Sequence, residues 1–488
     1  MYLGQYIMQS KITFLTCLIL FIHTCASAAT LFTPRLTLTE EYNDNLDLAP
    51  DNDPDNEKRA DWRTTISPGV SLEVANRTSG ILIDYEPSMV MYNRYSDDDT
   101  WRHRGLIDYW IDFSRYSSFE FENETTYTEE PISEVDSTIR TGRNHYVLNV
   151  TSADFFHQFG REDSFDLGYS YRILENEDNS IENTLEDTRR HESYLRLTYW
   201  PVVNEWGTET ELRYQKGIYQ ESDFIFDKAD HISDPSDDFD FWSAGSQLIR
   251  RFTPHFEGTF RYTYSKIDYD GETEDYQLHE AGPGFRYFIG ENTDLSFEGM
   301  YIFRDRATSR DQSTFLLVSE IVQRWILSRS SVELTGSTGF DPETFGAENN
   351  GFDLFASIDA NYEYSFSRET HWDLFGGFRW DRYIDLEPER LDNTIQAGTG
   401  LSHQVFSWAE LRLDYRYRQV LSEDYYHEYA QNRVMLSLTL MPSREHGSLR
   451  DQQSFGGLSH DDTDHHLRQR DRDQEASEDG DENSSNHR

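Results

Sequence analysis

Residues 105–113 read Gly105-Leu-Ile-Asp-Tyr-Trp-Ile-Asp-Phe113. Side chains of an extended strand point alternately to its two faces. One face of this segment therefore carries only apolar or aromatic side chains, namely Ile107, Tyr109, Ile111 and Phe113. The opposite face includes Asp108 and Asp112, which predicts a β-strand with an oily side and a charged side. Such a strand suits a wall between lipid and water.

The same alternation recurs roughly every twenty residues from Pro34 to Met441, as in transmembrane β-barrels. Examples are residues 165–173, 195–199, 260–264, 411–417 and 434–440. Nine short connections alternate with ten long or acidic ones, which predicts an all-β, antiparallel, up-and-down barrel of about twenty strands, within a range of eighteen to twenty-two. Short turns of outer-membrane barrels are periplasmic, so an even strand number predicts that both termini are periplasmic.

The N-terminus has the zones of a secretory signal: Lys11, an apolar run over residues 14–22, and Ala26-Ser-Ala28. We therefore expect a signal peptide over residues 1–28 and a barrel over residues 29–441. Residues 442–488 are polar and aperiodic, which predicts a disordered, acidic, His-containing periplasmic tail. Because the first predicted strand begins so close to the cleavage site, we expect no N-terminal plug domain.

Both cysteines, Cys17 and Cys25, lie in the predicted signal, which excludes disulfides and thiol catalysis in the mature chain. The formal net charge of -46 argues against a nucleic-acid partner, which would need a basic surface. Acids concentrate in three predicted long loops, residues 43–61, 174–192 and 220–240. These loops are either simply solvated or bind divalent cations that also bridge anionic surface glycolipids.

Prolines interrupt several predicted strands. We interpret Ser67-Pro-Gly69 and Gly282-Pro-Gly284 as bulges or bends, because proline removes a hydrogen bond of the strand ladder.

Motifs for catalysis or metal binding are incomplete. His427-Glu-Tyr-Ala-Gln431 lacks the second histidine of a zinc-protease motif. The acidic run that begins at Asp51 has Asn56 and Trp62 where a calcium loop needs Gly and Glu. The sequence therefore predicts no enzyme, no cofactor and no dedicated metal site.

The strand phase places charged side chains of both signs on the predicted inner face. These charges either pair across neighbouring strands and stabilise a wet interior, or they line a channel and select the passing solute. Barrels of this size leave an aqueous lumen unless something fills it, so we expect an open or loop-constricted pore. The candidate pore-lining residues are Arg172, Arg196, Arg213, Arg261, Arg379, Arg412, Arg416, Asp108, Asp166, Glu211, Asp373, Asp381 and Asp414.

The N-terminal part of the mature chain contains Arg35-Leu-Thr-Leu-Thr-Glu-Glu-Tyr-Asn-Asp-Asn-Leu46, Thr64-Thr-Ile-Ser-Pro-Gly-Val-Ser-Leu72 and Asp84-Tyr-Glu-Pro87. These segments resemble the start of the β-barrel porin 2 family of outer-membrane proteins. The resemblance implies an association with exopolysaccharide or capsule export, and it brings no catalytic residues.

These patterns favour a non-enzymatic outer-membrane channel, with exopolysaccharide as the solute class that the resemblance implies. The alternative is a structural or adhesive surface barrel whose acidic loops bind divalent cations or matrix. The expected partners are outer-membrane lipid, polysaccharide, divalent cations and periplasmic export proteins, without nucleic acid.

Overall fold

The computed structural model describes residues 28–50, 58–130, 145–176, 187–220, 238–270, 274–290, 292–308, 312–341, 353–384, 389–424 and 428–442. The predicted signal peptide up to residue 27, the predicted tail from residue 443, and much of the three acidic loops lie outside these ranges.

Within the described ranges the chain forms twenty β-strands and one short 3-10 helix, Ser96–Asp98. No helix there is long and apolar enough to cross a membrane. The strands are β1 Ala29–Asn43, β2 Asp61–Ala75, β3 Ser79–Tyr92, β4 Thr100–Ser114, β5 Ser117–Thr128, β6 Tyr146–Gln158, β7 Ser164–Asn176, β8 Asp187–Val202, β9 Trp206–Gln220, β10 Phe239–Thr253, β11 Phe256–Tyr269, β12 Tyr276–Ile289, β13 Thr293–Arg306, β14 Gln312–Ile326, β15 Ser330–Asp341, β16 Asp353–Ser365, β17 Thr370–Tyr383, β18 Arg390–Phe406, β19 Ala409–Ser422 and β20 Tyr429–Leu440.

The strands form one closed, antiparallel, up-and-down barrel. Each strand pairs with its neighbours in sequence, and β20 closes on β1 in a register that runs from Leu36 opposite Leu440 to Asn43 opposite Arg433. The connections between the described strands alternate between short and long in the predicted order. The predicted fold class and strand number are therefore confirmed.

Of the two interpretations, the bulge is wrong at both Pro68 and Pro283, and the bend stays a prediction. The β2–β3 register is the same before and after Pro68, and the β12–β13 register is the same on both sides of Pro283. The ladder is interrupted there without an inserted residue. At Gly282 a Cβ atom would lie 2.1 Å from the carbonyl oxygen of Gly299 on β13. Glycine beside Pro283 therefore permits close contact between strands, in place of a bulge.

Register shifts occur instead at the short connections. They lie between Asp112 and Ser114, Tyr199 and Val202, Arg251 and Thr253, and Gln404 and Phe406.

The two faces of the barrel differ in chemistry. Large apolar side chains are exposed on one face, among them Ile107, Leu195, Leu212 and Phe260. The other face is mostly polar, and there side chains of non-adjacent strands meet: Arg35 on β1 donates to Asp84 Oδ1 on β3 at 2.7 Å. Because neighbouring strands are about 4.8 Å apart, side chains from alternate strands converge only on the concave side. The polar face is therefore the inner face, and the apolar face is the outer one.

Candidate functional site

The inner wall is the candidate site, and several predicted residues form ion pairs on it. Arg196 on β8 lies 2.8 Å from Glu211 on β9, and Arg213 lies 3.0 Å from the other oxygen of the same carboxylate. Asp166 on β7 accepts a hydrogen bond of 3.5 Å from the hydroxyl of Tyr194. The three neighbouring strands thus share one polar network.

A second network lies on β17–β19. Arg379 donates to Asp381 at 2.6 Å within β17. Arg412 on β19 lies 2.9 Å from Asp373 on β17 and 2.7 Å from Asp414 on its own strand. The guanidinium of Arg412 thus reaches across β18 to β17. Gly400 of β18 leaves room for it, because a Cβ atom at position 400 would lie 2.3 Å from Arg412 Nη2. The structure therefore brings these predicted residues together in pairs.

The remaining predicted residues have different surroundings. Arg261 on β11 lies 2.8 Å from Glu298 on β13. Three others lie directly opposite a residue of like charge: Arg172 opposite Arg190, Asp108 opposite Glu122, and Arg416 opposite Arg433. Like charges that face each other oppose stability, so these three ladder positions are not themselves complementary pairs. A pore-lining role for the thirteen predicted residues stays a prediction.

Sequence reasoning missed a buried charge cluster near the long-connection ends of β1–β5 and β20. Arg63 contacts Glu41 at 2.9 Å and Glu130 at 2.5 Å, and Arg433 contacts Glu41 at 2.9 Å. Arg102 adds contacts to Glu130 at 3.0 Å and to the neighbouring glutamate, residue 129, at 2.6 Å. The strand phase could have placed the arginines on the inner face, but the two glutamates follow β5 and have no strand period.

The carboxyl group of Glu130, which lies beyond the end of β5, is strongly perturbed. Burial opposes its ionisation, but the positive charges of Arg63, Arg102 and Arg433 together hold the pKa of this carboxyl well below its usual range. Glu130 is therefore an anion that neutralises arginines from several strands.

Residues 44–50, at the start of the β1–β2 connection, fold against the inner wall. Leu46 packs on Val90 and Tyr92 of β3, and Leu48 packs on Val420 and Tyr429 of β19 and β20. The segment is also held by polar contacts. Asn45 donates to the carbonyl oxygens of residues 49 and 430 at 2.9 and 3.1 Å, and its side-chain oxygen accepts from the backbone N–H of residue 49 at 2.9 Å.

Leu48 has a φ of 54°, in the left-handed region that non-glycine residues rarely adopt. Its side chain is nevertheless almost fully buried. The contacts of this segment with β19 and β20 thus outweigh a backbone cost of about 1–2 kcal/mol. Residues 44–50 consequently narrow the lumen at the end of the barrel where the long connections lie.

An apolar cluster also lies on the inner wall, near the long-connection ends of β10–β13. Its buried members are Phe239, Phe241, Ile267, Tyr276, Leu278, Met300 and Ile302. The predicted charged face opposite an apolar one did not include this cluster. The available signal was that Phe239 and Phe241 lie on one face of this segment while Trp242 lies on the other, so aromatic side chains occur on both faces.

Among the described residues, no group of three or more His, Cys, Asp or Glu side chains could hold a metal ion. The predicted cation-binding loops fall largely on residues 51–57, 177–186 and 221–237, which lie outside the described residues.

No family model matches this chain, and no curated protein matches it. Solved structures with a similar fold include the siderophore receptor PirA of Pseudomonas aeruginosa, with 8% identity and a TM-score of 0.47 over 85% of this chain and 81% of that one. A mutant of the ferric enterobactin receptor PfeA of the same organism, in complex with enterobactin, has 8% identity and a TM-score of 0.48, over 85% and 82% of the two chains. OpdQ of Pseudomonas aeruginosa has 15% identity and a TM-score of 0.39, over 84% and 98%. At such values the likeness carries no argument about function.

Proposed function

We propose that this protein is a non-enzymatic channel of an outer membrane, which conducts water, ions and small polar solutes through the barrel lumen. The observation that supports it most is the opposite chemistry of the two faces. An exposed apolar outer face, with side chains such as Leu212 and Phe260 about half exposed, has no stable place in water. A closed barrel leaves no unpaired strand edge and so can cross a bilayer.

The inner wall supports conduction of polar solutes. It carries charged side chains on strands around the whole barrel, including Arg196, Arg261, Arg379 and Arg412 with their carboxylate partners. A twenty-strand barrel is too wide for side chains alone to fill. Residues 44–50 narrow the lumen from one side, so the channel is loop-constricted.

We extend the proposal to exopolysaccharide as the exported solute, with periplasmic export proteins as partners. This extension rests on the resemblance of residues 35–46, 64–72 and 84–87 to the β-barrel porin 2 family. A structural or adhesive barrel is the competing proposal. It is favoured by the many ion pairs across the inner wall, which stabilise a barrel whether or not solute passes.

Recordings in planar bilayers separate the two proposals. The purified protein should produce discrete conductance steps, and a salt gradient should give a reversal potential that indicates cation preference. A silent bilayer containing folded, heat-modifiable protein would support the structural barrel and exclude the channel.

The proposed orientation places the short connections and both termini in the periplasm. Two exposed positions at opposite ends test it: Asp97 in the β3–β4 connection and Ser367 in the β16–β17 connection. In intact cells a membrane-impermeant thiol reagent should label Asp97→Cys and leave Ser367→Cys unlabelled. The reverse pattern would invert the orientation.

A further inference from the structure

Lysine is used differently from arginine in this chain. Of the five lysines in the sequence, Lys216 on β9 and Lys266 on β11 lie in described strands. Both are on the outer face, because Lys216 has the same strand phase as exposed Leu212, and Lys266 the same phase as exposed Phe260. The charged networks of the inner wall use arginine. The two lysines of the described strands therefore lie on the outer surface of the barrel.

The lysines belong to a compact group near the long-connection ends of β7–β11, which we call the outer-wall patch. It consists of Tyr169, His191, Lys216, Trp242 and Lys266. In the strand ladder Lys216 lies directly opposite His191, and Lys266 lies directly opposite Trp242. The two lysine side chains are 39% and 41% exposed.

The imidazole of His191 on β8 is held in place by Tyr169 on the neighbouring strand β7. The hydroxyl of Tyr169 lies 2.8 Å from His191 Nδ1. When this hydroxyl donates to Nδ1, the proton of a neutral imidazole lies on Nε2, which is left to donate to a group outside the protein.

This tyrosine contact is repeated on the outer face at intervals of four strands. Tyr85 contacts His103 Nδ1 at 2.8 Å on β3–β4, and Tyr262 contacts His279 Nδ1 at 3.0 Å on β11–β12. In each case the tyrosine lies opposite the residue two positions after the histidine. The contact is therefore a regular feature of the outer face, and on β7–β9 it is combined with a lysine.

The surface directly beyond the patch, toward the middle of the strands, is apolar. Leu195 and Leu212 lie opposite each other on β8 and β9, four residues from His191 and Lys216, and are 39% and 49% exposed. The outer wall thus changes from hydrogen-bond donors and cations to hydrocarbon along the same strands. A membrane lipid has the same order of polarity from headgroup to acyl chain.

We propose that the outer-wall patch binds the phosphate-bearing headgroup of an outer-leaflet glycolipid, whose acyl chains lie on Leu195 and Leu212. The inference rests on the proposed function in one respect, namely that the barrel spans a membrane with its long connections outside. Lysine suits this role because its ammonium is a point charge on a flexible stem that can reach a phosphate at the membrane surface.

Carboxylates beside the lysines do not abolish the site. Lys216 lies 3.5 Å from Asp240, and Lys266 lies 2.6 Å from Asp268. An ammonium has three N–H donors, so a single carboxylate contact leaves others for a phosphate. The carboxylates also fix the position of each ammonium and thus favour a headgroup with spaced phosphates over an isolated ion.

The test is native mass spectrometry of the purified, full-length barrel in detergent, titrated with a phosphorylated outer-leaflet glycolipid and with the same glycolipid after enzymatic removal of its phosphates. The wild-type protein should retain the phosphorylated form and lose most of its binding when the phosphates are removed. Inorganic phosphate alone should not compete at concentrations similar to those of the lipid. Equal retention of the two lipid forms would overturn the proposal.

The double variant Lys216→Gln with Lys266→Gln should bind about 10- to 30-fold more weakly, since each lysine near an anionic surface contributes a factor of about five. The matched control is Arg250→Gln. Arg250 is on the outer face at the other end of β10, where it contacts Glu205 at 3.1 Å, and its loss should leave binding unchanged. Equal loss in the control and in the double variant would also contradict the patch.

The same preparations are examined for heat-modifiability and conductance, which separates this proposal from the channel. A folded, silent barrel that still binds the phosphorylated lipid would refute the channel and leave the patch intact. A conducting barrel with no phosphate-dependent binding would refute the patch alone.

Discussion

At the scale of single residues, Glu41 is a buried carboxylate that pairs with two arginines. It is 4% exposed and accepts from Arg63 and Arg433, which belong to the two strands on either side of β1. Such a group stabilises only as part of a complete network, because removing one partner leaves the other charges buried. This carboxylate therefore connects β2 and β20 across β1.

We predict that Glu41→Gln lowers the free energy of unfolding by about 3 kcal/mol, since both arginines lose an anionic partner. The measurement is urea unfolding of the refolded barrel in detergent. Glu124→Gln is the matched control: its carboxylate pairs with Arg104 on a more exposed part of the wall, with side chains 37% and 61% exposed, and should cost less than about 1 kcal/mol. Equal losses would mean that burial does not determine the strength of these pairs.

The depressed pKa of Glu130 predicts a pH dependence. Because the folded-state pKa is below the unfolded value of about 4.3, the stabilisation is fully present above that pH and is lost as the pH falls through the folded-state pKa. Wild-type protein should therefore lose stability steeply in acid. Glu130→Gln should be less stable at neutral pH and should lose less on acidification. Parallel pH profiles for the two proteins would show that Glu130 is not responsible.

At the scale of elements, the distinctive feature is that a connection, and not a strand, narrows the lumen. Residues 44–50 are held by apolar contacts at two points, Leu46 on β3 and Leu48 on β19–β20. The two points lie on either side of the β1–β20 closure, so the segment also joins the first and last strands.

We predict that the double variant Leu46→Ala with Leu48→Ala increases single-channel conductance, because the segment loses both apolar anchors and withdraws from the wall. The control is Leu38→Ala, on the outer face of β1 and 36% exposed, which should leave conductance unchanged. Unaltered conductance in the double variant would show that the segment does not limit the flow.

At the scale of the whole molecule, the barrel is closed by the pairing of β20 with β1. The last ladder pair of β20 with β1 is Leu440 opposite Leu36. We predict that truncation after Pro442 leaves a heat-modifiable barrel in the outer membrane. Truncation after residue 424, which removes β20, should abolish assembly because it exposes the edges of β1 and β19. If the protein truncated after Pro442 fails to assemble, the tail has a role in assembly.

Ion selectivity is also a property of the whole lumen. We predict that the double variant Asp373→Asn with Asp381→Asn makes the channel less selective for cations, because Arg412 and Arg379 lose the carboxylates that neutralise them. The reversal potential should therefore shift in the direction of anion preference. Arg412→Gln with Arg416→Gln should shift it toward cations. Reversal potentials in a salt gradient provide the measurement, and shifts of the same sign would contradict a role of these charges in selection.

The sequence by itself determined that the chain has about twenty strands, their order, and the alternation of apolar and polar residues along them. Those features follow from a period of two and from turn positions, which are local properties of the chain. Strand phase also placed residues such as Arg196 and Arg412 on one face. It did not reveal the register, which decides that Arg412 meets Asp373 across β18 while Arg416 faces Arg433.

Only the tertiary structure determined what lies inside the barrel. The contacts of Leu46 and Leu48, the two glutamates that follow β5 and the apolar cluster on β10–β13 join segments that are distant in sequence. The bulges expected at prolines 68 and 283 failed for a related reason. A missing ladder hydrogen bond is visible in the sequence, but the strand register, which shows no inserted residue there, is not. Curvature brings the inner side chains of alternate strands together, and a linear pattern contains no information about which of them will touch.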